Sequence, residues 1–405
     1  MAQISSLQNF ISDSLDSTHF KLIRKREDVD NNEISFHPEM AHQIFGENES
    51  IFGYRDLKVD IFYSAGPLDM YYKVNYSKRV DDLETEGIKA DNIDEAISEL
   101  VSDGCYYTNL EEFLNVCEKK SADFKPFGEK VDEFETTINS ATPRHFEVYV
   151  CDMNAPGFLK FHARLESFSF WFIDAFSRLE HDPLWLYFVI YEKYQTSDND
   201  TRYATVGYCT VYQYYSYPQN IRPRISQILI LPPFQKLGIA SRLIEKTLYD
   251  YFVPKENVTD ITYEEPTDIL QHIRSVIDTK RCRTLPSFAP DNLLKGFSKD
   301  MLKEAKAKFK ITPKQVRVCY EILRFSITNL NNAKDYRDYR IEVKKRLNLN
   351  YSKHRRDLKK AEKRGVDVKT AMHGLPSIQE RIAQLDAEYK EVEKVYHQVL
   401  RKVKL

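Results

Sequence analysis

The sequence predicts an α/β fold built on a mixed β-sheet that carries helices. Because the chain also has a separate helical part, its overall layout is α+β. Strand-like runs over 185–191 and 203–212 lead into a strand, a loop and a helix over 224–251. Before residue 134, short strand-like segments alternate with acidic helical stretches, and after Pro266 only helical periodicity remains. We therefore expect an α+β N-terminal domain, a central mixed-sheet domain and a helical C-terminal domain.

The strand, loop and helix over 224–251 form the most informative part of the chain. Ile225 and the run Ile228–Leu231 predict a strand covered on both faces, which Pro232 and Pro233 end. Gly238 and the small residues after it let backbone N–H groups approach an anion, and the first turn of a helix leaves its N–H donors free. This pattern fits a pyrophosphate-binding loop, and it also fits an ordinary strand-to-helix turn.

The rest of the first 266 residues predicts further strands and helices. In the N-terminal part we expect a strand over Phe52–Tyr63, a second over Met70–Tyr76, a hairpin turn at Ala65-Gly66-Pro67 and a helix over Asn92–Ser102. The central part predicts strands over 146–151, 185–191 and 203–212, a helix over 159–167 and a turn over 196–200.

The C-terminal part predicts helices with apolar faces. One face carries Ile269, Ile273, Val276 and Ile277, and a later one carries Val316, Tyr320, Leu323 and Ile327. Ser377 and Glu380 form a capping-box pattern that opens a last helix. Its apolar residues follow a heptad seam: Ile378, Ile382, Leu385, Tyr389, Val392, Tyr396, Val399 and Val403. That helix needs a partner, in this chain or in another.

Length and composition narrow the class of protein. A chain of 405 residues with 42% hydrophobic residues predicts two or three domains with substantial cores. We expect a soluble protein of the cytosol or nucleus, with no membrane association, because no apolar run reaches spanning length and the segment Met1–Ser6 does not resemble a signal peptide. The six cysteines have no metal-binding spacing, so we expect free thiols and no metal site; they are Cys105, Cys117, Cys151, Cys209, Cys282 and Cys319.

The net charge of −2 hides an uneven distribution. Acidic residues crowd the N-terminal part: Asp81, Asp82, Glu84, Glu86, Asp91, Asp94, Glu95 and Glu99. Basic residues crowd the end: Lys344, Lys345, Arg346, Lys353, Arg355, Arg356, Lys359, Lys360, Lys363 and Arg364. An acidic face attracts a basic partner and a basic face attracts nucleic acid or acidic protein, but either run also fits a solvated helix face.

A lysine side chain with a pKa of about 10.4 is almost wholly protonated at neutral pH, so any reaction in which its amine is the nucleophile needs a base. Deprotonating it costs about 4 kcal/mol, which a carboxylate in a dry site would offset. Glu264 and Glu265 follow the strand-like stretch Asp260–Tyr263 and could supply that carboxylate. They could equally cap the helix that begins after Pro266.

Several motifs together resemble one family. They are Phe124-Lys-Pro-Phe-Gly128, Ala204-Thr-Val-Gly-Tyr208, Tyr212-x-Tyr-Tyr-x-Tyr-Pro218, Arg222-Pro-Arg-x-Ser-Gln-x-Leu-Ile-Leu231, Gln235-x-x-Gly-x-Ala240 and Asp260-Ile-Thr-x-Glu-x-Pro266. The Gln235 loop resembles the coenzyme A loop of the GNAT superfamily of N-acetyltransferases. The whole set, from the Phe45-Gly46 region to the helix around Tyr320, resembles the catalytic subunit of the type B histone acetyltransferases.

The resemblance implies a GNAT acetyltransferase fold, acetyl-CoA as cosubstrate and a role for particular residues. Glu264 stands at the general base, Glu265 replaces the usual aspartate beside it, and Asp174 matches a glutamate near the active site. The acetyl-CoA site would comprise Ile228, Leu229, Ile230, Gln235, Lys236, Leu237, Gly238, Ile239, Ala240 and Ser241. Trp185 and Tyr212 would line the substrate-lysine channel, although strand aromatics also pack in cores. Glu47 and Glu49, expected in an exposed polar loop, would hold the basic histone tail.

The resemblance also implies partners and a location. The substrate would be newly made free histone, mainly the N-terminal tail of histone four, together with histone three. The partner would be a WD-repeat histone chaperone, and the location both nuclear and cytoplasmic. We assign no direct nucleic-acid binding at this point. An acetyltransferase for another protein or a small amine, and an inactive histone-binding scaffold, are the alternatives.

Four domains follow from these patterns. We expect a histone-binding domain over 1–134, the catalytic domain over 135–266 and a helical domain over 267–345. The basic segment and the heptad-patterned helix fill 346–405.

Overall fold

The computed structural model describes residues 7–83, 87–101, 106–138 and 142–403. It divides into two compact units, Met1–Tyr251 and Phe252–Leu405. The expectations placed on the segment Met1–Ser6 and on Glu84, Glu86, Ser102 and Cys105 fall outside the described residues.

The N-terminal part of the first unit is built on small sheets. Its strands are β1 (Ile11–Asp13), β2 (Thr18–Ile23), β3 (Ser50–Phe52), β4 (Tyr54–Arg55), β5 (Lys58–Ser64), β6 (Met70–Asn75), β7 (Lys78–Arg79) and β8 (Tyr106–Tyr107). Four of them form a sheet in the order β2-β5-β6-β8, while β1 pairs with β3 and β4 with β7. The antiparallel pairing of β5 with β6 confirms the hairpin predicted at Ala65-Gly66-Pro67.

Short helices connect these strands. The α-helices are α1 (Ser14–Ser17), α2 (His42–Phe45), α3 (Ile93–Leu100) and α4 (Leu110–Asp123). Short 3-10 turns lie at Gln8–Phe10, Arg26–Val29, Asn32–Ile34 and Val80–Asp82. The helix predicted from Asn92 is present as α3, and the Asn92 side chain caps it by accepting a hydrogen bond from the Glu95 amide at 3.3 Å.

The single strand expected over Phe52–Tyr63 is wrong, because that stretch is divided among β3, β4 and β5. Gly53 has a φ of +102° and Asp56 a φ of +52°, and a strand cannot continue through these left-handed conformations. A Cβ on Gly53 would also lie 2.3 Å from the Cβ of Ala90. The chain therefore bends twice where hydrophobic alternation alone predicts continuity.

A large antiparallel sheet forms the rest of the first unit. Its strands there are β9 (Glu129–Thr136), β10 (Arg144–Cys151), β11 (Trp185–Gln195), β12 (Thr201–Ser216) and β13 (Asn220–Ile230), adjacent in chain order. Three of the predicted strands and the turn at 196–200 are confirmed, with longer bounds. The strand β9 was not predicted, and the expected boundary at 134/135 falls inside it.

Helix α5 (Phe158–Phe172) lies between the N-terminal sheet and the large sheet. On one side Phe168 contacts Tyr63 with ring centroids 4.0 Å apart, and Trp171 contacts Phe20 at 5.4 Å. On the other side Phe158 contacts Tyr187 of β11 at 4.9 Å. Because α5 is buried on both sides, it joins the two sheets into one core.

The second unit is helical apart from the short strand β14 (Thr262–Tyr263). Before it, the chain forms α6 (Ile239–Arg242), a π-helical segment (Leu243–Leu248) and α7 (Tyr249–Phe252), which ends at the boundary between the units. The helices of the second unit are α8 (Asp268–Arg283), α9 (Pro290–Leu294), α10 (Lys299–Phe309), α11 (Pro313–Ser326), α12 (Ala333–Leu347), α13 (Leu349–Lys363), α14 (Lys369–His373) and α15 (Ile378–Val403). The apolar face predicted around Tyr320 is buried in its core. Ile269 is 75% exposed, so it does not belong to the buried face expected of α8.

The last helix finds its partner within the same unit. Tyr389, Tyr396, Val399 and Val403 of α15 form one buried cluster with residues of α11 and α12. The capping box is present, with the Ser377 amide donating to Glu380 Oε2 at 2.8 Å and the Glu380 amide donating to Ser377 Oγ at 3.2 Å. Ile378 and Ile382 are 64% and 55% exposed, so the heptad seam is buried only in its second half.

Candidate functional site

The loop Gln235–Ser241 follows β13 and a 3-10 turn at Pro232–Phe234. Lys236 has a φ of +61° and Gly238 a φ of +80°, so the backbone turns twice through the left-handed region. Leu237 and Ile239 are buried and anchor the loop, while Gln235, Lys236 and Gly238 are exposed. The apolar side chains of the loop are therefore directed into the core, and its backbone at Gly238 is open to solvent.

The amide groups of this loop are available to an anion. The first amide that donates into the new helix is that of Arg242, to Gly238 O at 3.0 Å. Within the described residues, no backbone acceptor is bonded by the amides from Lys236 to Ser241. An added Cβ at Gly238 would have no heavy atom within 4 Å, so open space lies against the backbone there. Consecutive free amides beside open space fit a pyrophosphate group.

The helix after the loop is fixed to the edge of the sheet. Arg242 donates to Asp132 of β9 at 2.7 Å and 3.1 Å, and Thr247 Oγ1 donates to the same carboxylate at 2.8 Å. Gln235 Nε2 donates to Ile230 O at 3.0 Å and ties the loop to the end of β13. No sequence pattern pointed to this role of Asp132, because an acid among the other acids of β9 does not stand out.

Ile228, Leu229 and Ile230 lie in β13 opposite Cys209, Tyr208 and Gly207 of β12. The register shifts between Cys209 and Val211, which locally disturbs the pairing of the two strands. Gly207 is required here, because a Cβ would lie 2.1 Å from Leu229 O. A glycine inside an aromatic strand was the available sequence signal for this close approach.

Trp185 and Tyr212 are paired residues of β11 and β12, with rings 4.9 Å apart and nearly perpendicular. Both side chains are half-buried, which places them at the margin of the core and not inside it. Tyr212 Oη donates to Asp182 Oδ2 at 2.8 Å, and this hydrogen bond raises the pKa of Tyr212. The Trp185 amide donates to Asp182 O at 3.2 Å. Asp182, which the sequence analysis missed, thus fixes both aromatic residues.

Asp174 and Glu49 meet at His42. The imidazole Nε2 lies 3.2 Å from Asp174 Oδ1, and Nδ1 lies 3.6 Å from Glu49 Oε1. The Asp174 side chain is 79% exposed. One histidine therefore lies between two acids that the resemblance assigns to different roles, and no sequence motif pointed to it.

Glu47 and Glu49 differ in their surroundings. Glu47 is exposed, as expected. The expectation that Glu49 is also an exposed loop acid is wrong, because Glu49 Oε1 accepts hydrogen bonds from the amides of Ala41 at 2.6 Å and His42 at 3.1 Å. Its carboxylate therefore caps the first turn of α2.

Glu264 and Glu265 belong to the second unit and follow β14. Both are exposed, and Glu265 has a φ of +31°. The N-cap position of the next helix, α8, is occupied by Thr267, whose side chain accepts from the Leu270 amide at 3.3 Å. Their catalytic roles stay a prediction.

The described part of the chain has no group of three or more His, Cys, Asp and Glu side chains placed to hold a metal ion. Its cysteines Cys117, Cys151, Cys209, Cys282 and Cys319 are buried and free. Burial raises the pKa of the Cys117 and Cys151 thiols to about 12, which keeps them protonated and unreactive at neutral pH. Among the same residues, no helix is both long and apolar enough to span a membrane.

Comparisons with known proteins identify the family. Residues 10–174 match the model of the histone acetyl transferase HAT1 N-terminus, and residues 274–325 match that of the histone acetyltransferase type B catalytic subunit, C-terminal. A histone acetyltransferase type B catalytic subunit of Homo sapiens is 38% identical over 95% of this chain and 91% of its own length. One from Mus musculus is 39% identical over 95% and 92%, and one from Dictyostelium discoideum is 33% identical over 85% and 72%.

A weaker likeness, to an aminoglycoside acetyltransferase from an uncultured soil metagenomic sample, covers 33% of this chain and 86% of that one. Its identity is 17% and its TM-score 0.24, too low to carry an argument. The human and mouse relatives match over nine tenths or more of both chains, and the chain therefore belongs to the histone acetyltransferase type B catalytic subunits, a family of enzymes.

Proposed function

We propose that this enzyme transfers the acetyl group of acetyl-CoA directly to lysine amines of newly made free histones, mainly in the N-terminal tail of histone four. The observation that carries the proposal is the Gln235–Ser241 loop: within the described residues its amides from Lys236 to Ser241 bond no backbone acceptor, and open space lies beside Gly238. This is the geometry that a pyrophosphate requires. Family membership supports acetyl transfer to histones as the reaction.

The backbone of β13 and the loop after it bind the cosubstrate in this proposal. Ile228, Leu229 and Ile230 present main-chain groups to the pantetheine arm, beside the register shift between Cys209 and Val211. The amides of the Gln235–Ser241 loop hold the pyrophosphate. Acetyl-CoA supplies the activated acetyl group.

The pair Trp185 and Tyr212 lines the channel for the substrate lysine. An aliphatic lysine stem packs well against aromatic rings, and the ring faces attract the charged amine on its way in. The hydrogen bond from Tyr212 to Asp182 holds the Tyr212 ring in one orientation. That support is consistent with a channel wall, which must keep its shape when empty.

Glu264 acts as the general base and takes a proton from the lysine ammonium, which leaves the neutral amine that accepts the acetyl group. Thr267, and not Glu264, occupies the N-cap position of α8. Asp174, oriented by the contact of its carboxylate with His42, assists proton removal. Glu265 stands beside the base in a left-handed conformation and has a smaller share.

Glu47 attracts the basic histone tail by its exposed charge, and Glu49 contributes less directly because its carboxylate caps α2. A tail rich in Lys has little apolar area to bury, so charge and the aromatic channel carry selectivity. We further propose that histone three accompanies histone four, that a WD-repeat histone chaperone binds the enzyme, and that the complex works in both nucleus and cytoplasm. These three proposals rest on family membership.

Initial rates with a histone-four tail peptide, compared with spermidine, test the proposal, with Glu264→Gln as the control. The proposal predicts a strong preference for the peptide, and Glu264→Gln should lower transfer to it by about two to four orders of magnitude. Equal or faster transfer to spermidine would favour a small-amine acetyltransferase. Tight peptide binding by the wild type without any transfer would favour an inactive histone-binding scaffold.

A further inference from the structure

Helix α13 and the residue after it carry an excess of positive charge. Between Leu349 and Arg364 there are seven Lys and Arg side chains against two acids, Asp357 and Glu362. Lys353, Arg356, Lys360 and Lys363 follow one another at steps of three and four and therefore share one face of the helix. They span about 15 Å at 1.5 Å per residue. All four are exposed, and we call them the basic face.

Basic residues on neighbouring helices of the same unit form ion pairs with acids, unlike those of the basic face. Arg346 of α12 donates to the buried carboxylate of Glu321 at 2.9 Å, and Lys344 pairs with Asp386 of α15. Arg381 pairs with Glu388 at 2.8 Å. In contrast, no side chain of the basic face lies within ion-pair distance of an acid in the described part of the chain. These four charges therefore form no ion pair that would hold the described part of the unit together.

The helix that carries the basic face is nevertheless held in place. Tyr351, on the other side of α13, donates through Oη to Pro376 O at 3.2 Å, and the Arg381 guanidinium lies 5.1 Å from its ring centre. Arg381 Nε also donates to Asn348 Oδ1 at 3.0 Å, just before α13 begins. The four cations are thus presented from a fixed helix and not from a loose tail.

The chemistry of this face distinguishes between a nucleic acid and an acidic protein. Leu349 and Val366, at the two ends of this segment, are exposed, but between residues 350 and 365 of the described chain no large hydrophobic side chain is exposed. The cores of protein interfaces are depleted in Lys and built on aromatic and apolar anchors, whereas the charge of a phosphate backbone is neutralised by Lys and Arg and needs no apolar anchor. We propose that the basic face binds the phosphate backbone of duplex nucleic acid without reading its sequence.

The test measures the affinity of the full chain for a fluorescein-labelled 30-base-pair duplex DNA at several salt concentrations. For four phosphate contacts the logarithm of the binding constant should fall against log salt with a slope of about −4. Changing Lys353, Arg356, Lys360 and Lys363 together to Gln should weaken binding about tenfold or more at 100 mM salt and flatten that slope. Point substitutions are needed because truncation would remove the buried residues of α15.

A matched variant controls for the change in net charge. Lys299, Lys303, Lys306 and Lys314 are exposed lysines of the same unit, and their joint change to Gln removes the same charge. This variant should bind DNA within about twofold of the wild type. Retained acetyl transfer to the free histone peptide would show that both variants fold.

Three results would overturn the proposal. One is a wild-type chain that does not bind the duplex at 50 mM salt. Another is an equal loss of affinity in the two variants, which would mean that net charge and not the basic face is responsible. The third is binding of poly-glutamate through the basic face without binding of DNA, which would assign the face to an acidic protein partner.

Discussion

The loops Phe45–Glu49 and Gln235–Ser241 both carry predicted binding residues, and they present them in opposite ways. In Gln235–Ser241 the apolar side chains turn inward and the amides stay free. In Phe45–Glu49 the Glu49 side chain turns inward and occupies the amides of Ala41 and His42. A glycine and small residues dictate backbone geometry locally, whereas an acidic side chain can be satisfied anywhere in the fold. Motifs of glycine and small residues, which fix the backbone conformation, are therefore a more reliable guide to a site than motifs of acidic side chains.

Substitution of Glu264 should have the largest effect on turnover. For this acid the sequence allowed two roles, general base and helix cap. Glu264→Gln should lower turnover at pH 7 by about two to four orders of magnitude, because the lysine loses its proton acceptor. Acetyl-CoA affinity should hardly change, and turnover should partly recover as the pH rises and the lysine deprotonates unaided. A pH–rate profile checks this. Turnover close to that of the wild type at pH 7 would transfer the base role to Asp174 or Glu265.

His162 extends the comparison to a buried titratable group. Burial is the main cause that lowers the pKa of His162 to about 3, and the nearby Arg178 lowers it further, while burial raises the pKa of the adjacent Glu166. Unfolding restores a His pKa of about 6.5, so acid protonates the unfolded state first and stability falls below that pH.

From pH 7 to pH 5 the histidine alone should remove about 2 kcal/mol of unfolding free energy. Urea unfolding at the two pH values, on wild type and His162→Gln, isolates this contribution. The variant should lose less stability than the wild type on acidification. Equal losses would mean that groups other than His162 cause the response; Glu166 cannot be one of them, because its raised pKa makes it stabilise the folded state on acidification.

Glu49 and Glu47 should differ in their contribution to stability, because Glu49 accepts hydrogen bonds at the start of α2 whereas Glu47 is an exposed surface acid. Glu49→Ala should lower the free energy of unfolding by about 1 to 2 kcal/mol, because two amides of α2 lose their acceptor. Glu47→Ala is the matched control and should leave it unchanged within about 0.5 kcal/mol. Urea denaturation compares them directly. Equal stability of the two variants would contradict the capping role of Glu49.

The smallest effect is expected for Glu47→Gln in catalysis. The Michaelis constant for the histone-tail peptide should rise about twofold to fivefold at low salt, with turnover unchanged, since an exposed charge attracts the tail without touching the reacting atoms. The difference from wild type should shrink as salt is added. Identical kinetics across a salt series would remove Glu47 from tail binding.

Much of the fold could be predicted where the pattern is local. Pro232, Pro233 and Gly238 punctuate the strand, loop and helix, and Ser377 with Glu380 marks the start of α15. Strand β9 was missed because it carries four acids along an eight-residue strand and pairs on one side only within its unit, so it lacks apolar alternation. The roles of His42, Asp132 and Asp182 depend on partners distant in sequence, which no local pattern contains.

The coenzyme loop is the central claim, and calorimetry of acetyl-CoA binding tests it most directly. Gly238→Val places a branched side chain in the open space where the pyrophosphate would lie. Gly365→Val is a matched control, since Gly365 has a φ of +83° and also no heavy atom within 4 Å of an added Cβ. Both variants carry similar backbone strain. Gly238→Val should weaken acetyl-CoA binding about tenfold to hundredfold while Gly365→Val leaves it unchanged, because only the former removes charge-assisted hydrogen bonds to the phosphates. Unchanged acetyl-CoA affinity in a folded Gly238→Val enzyme would contradict the assignment of this loop.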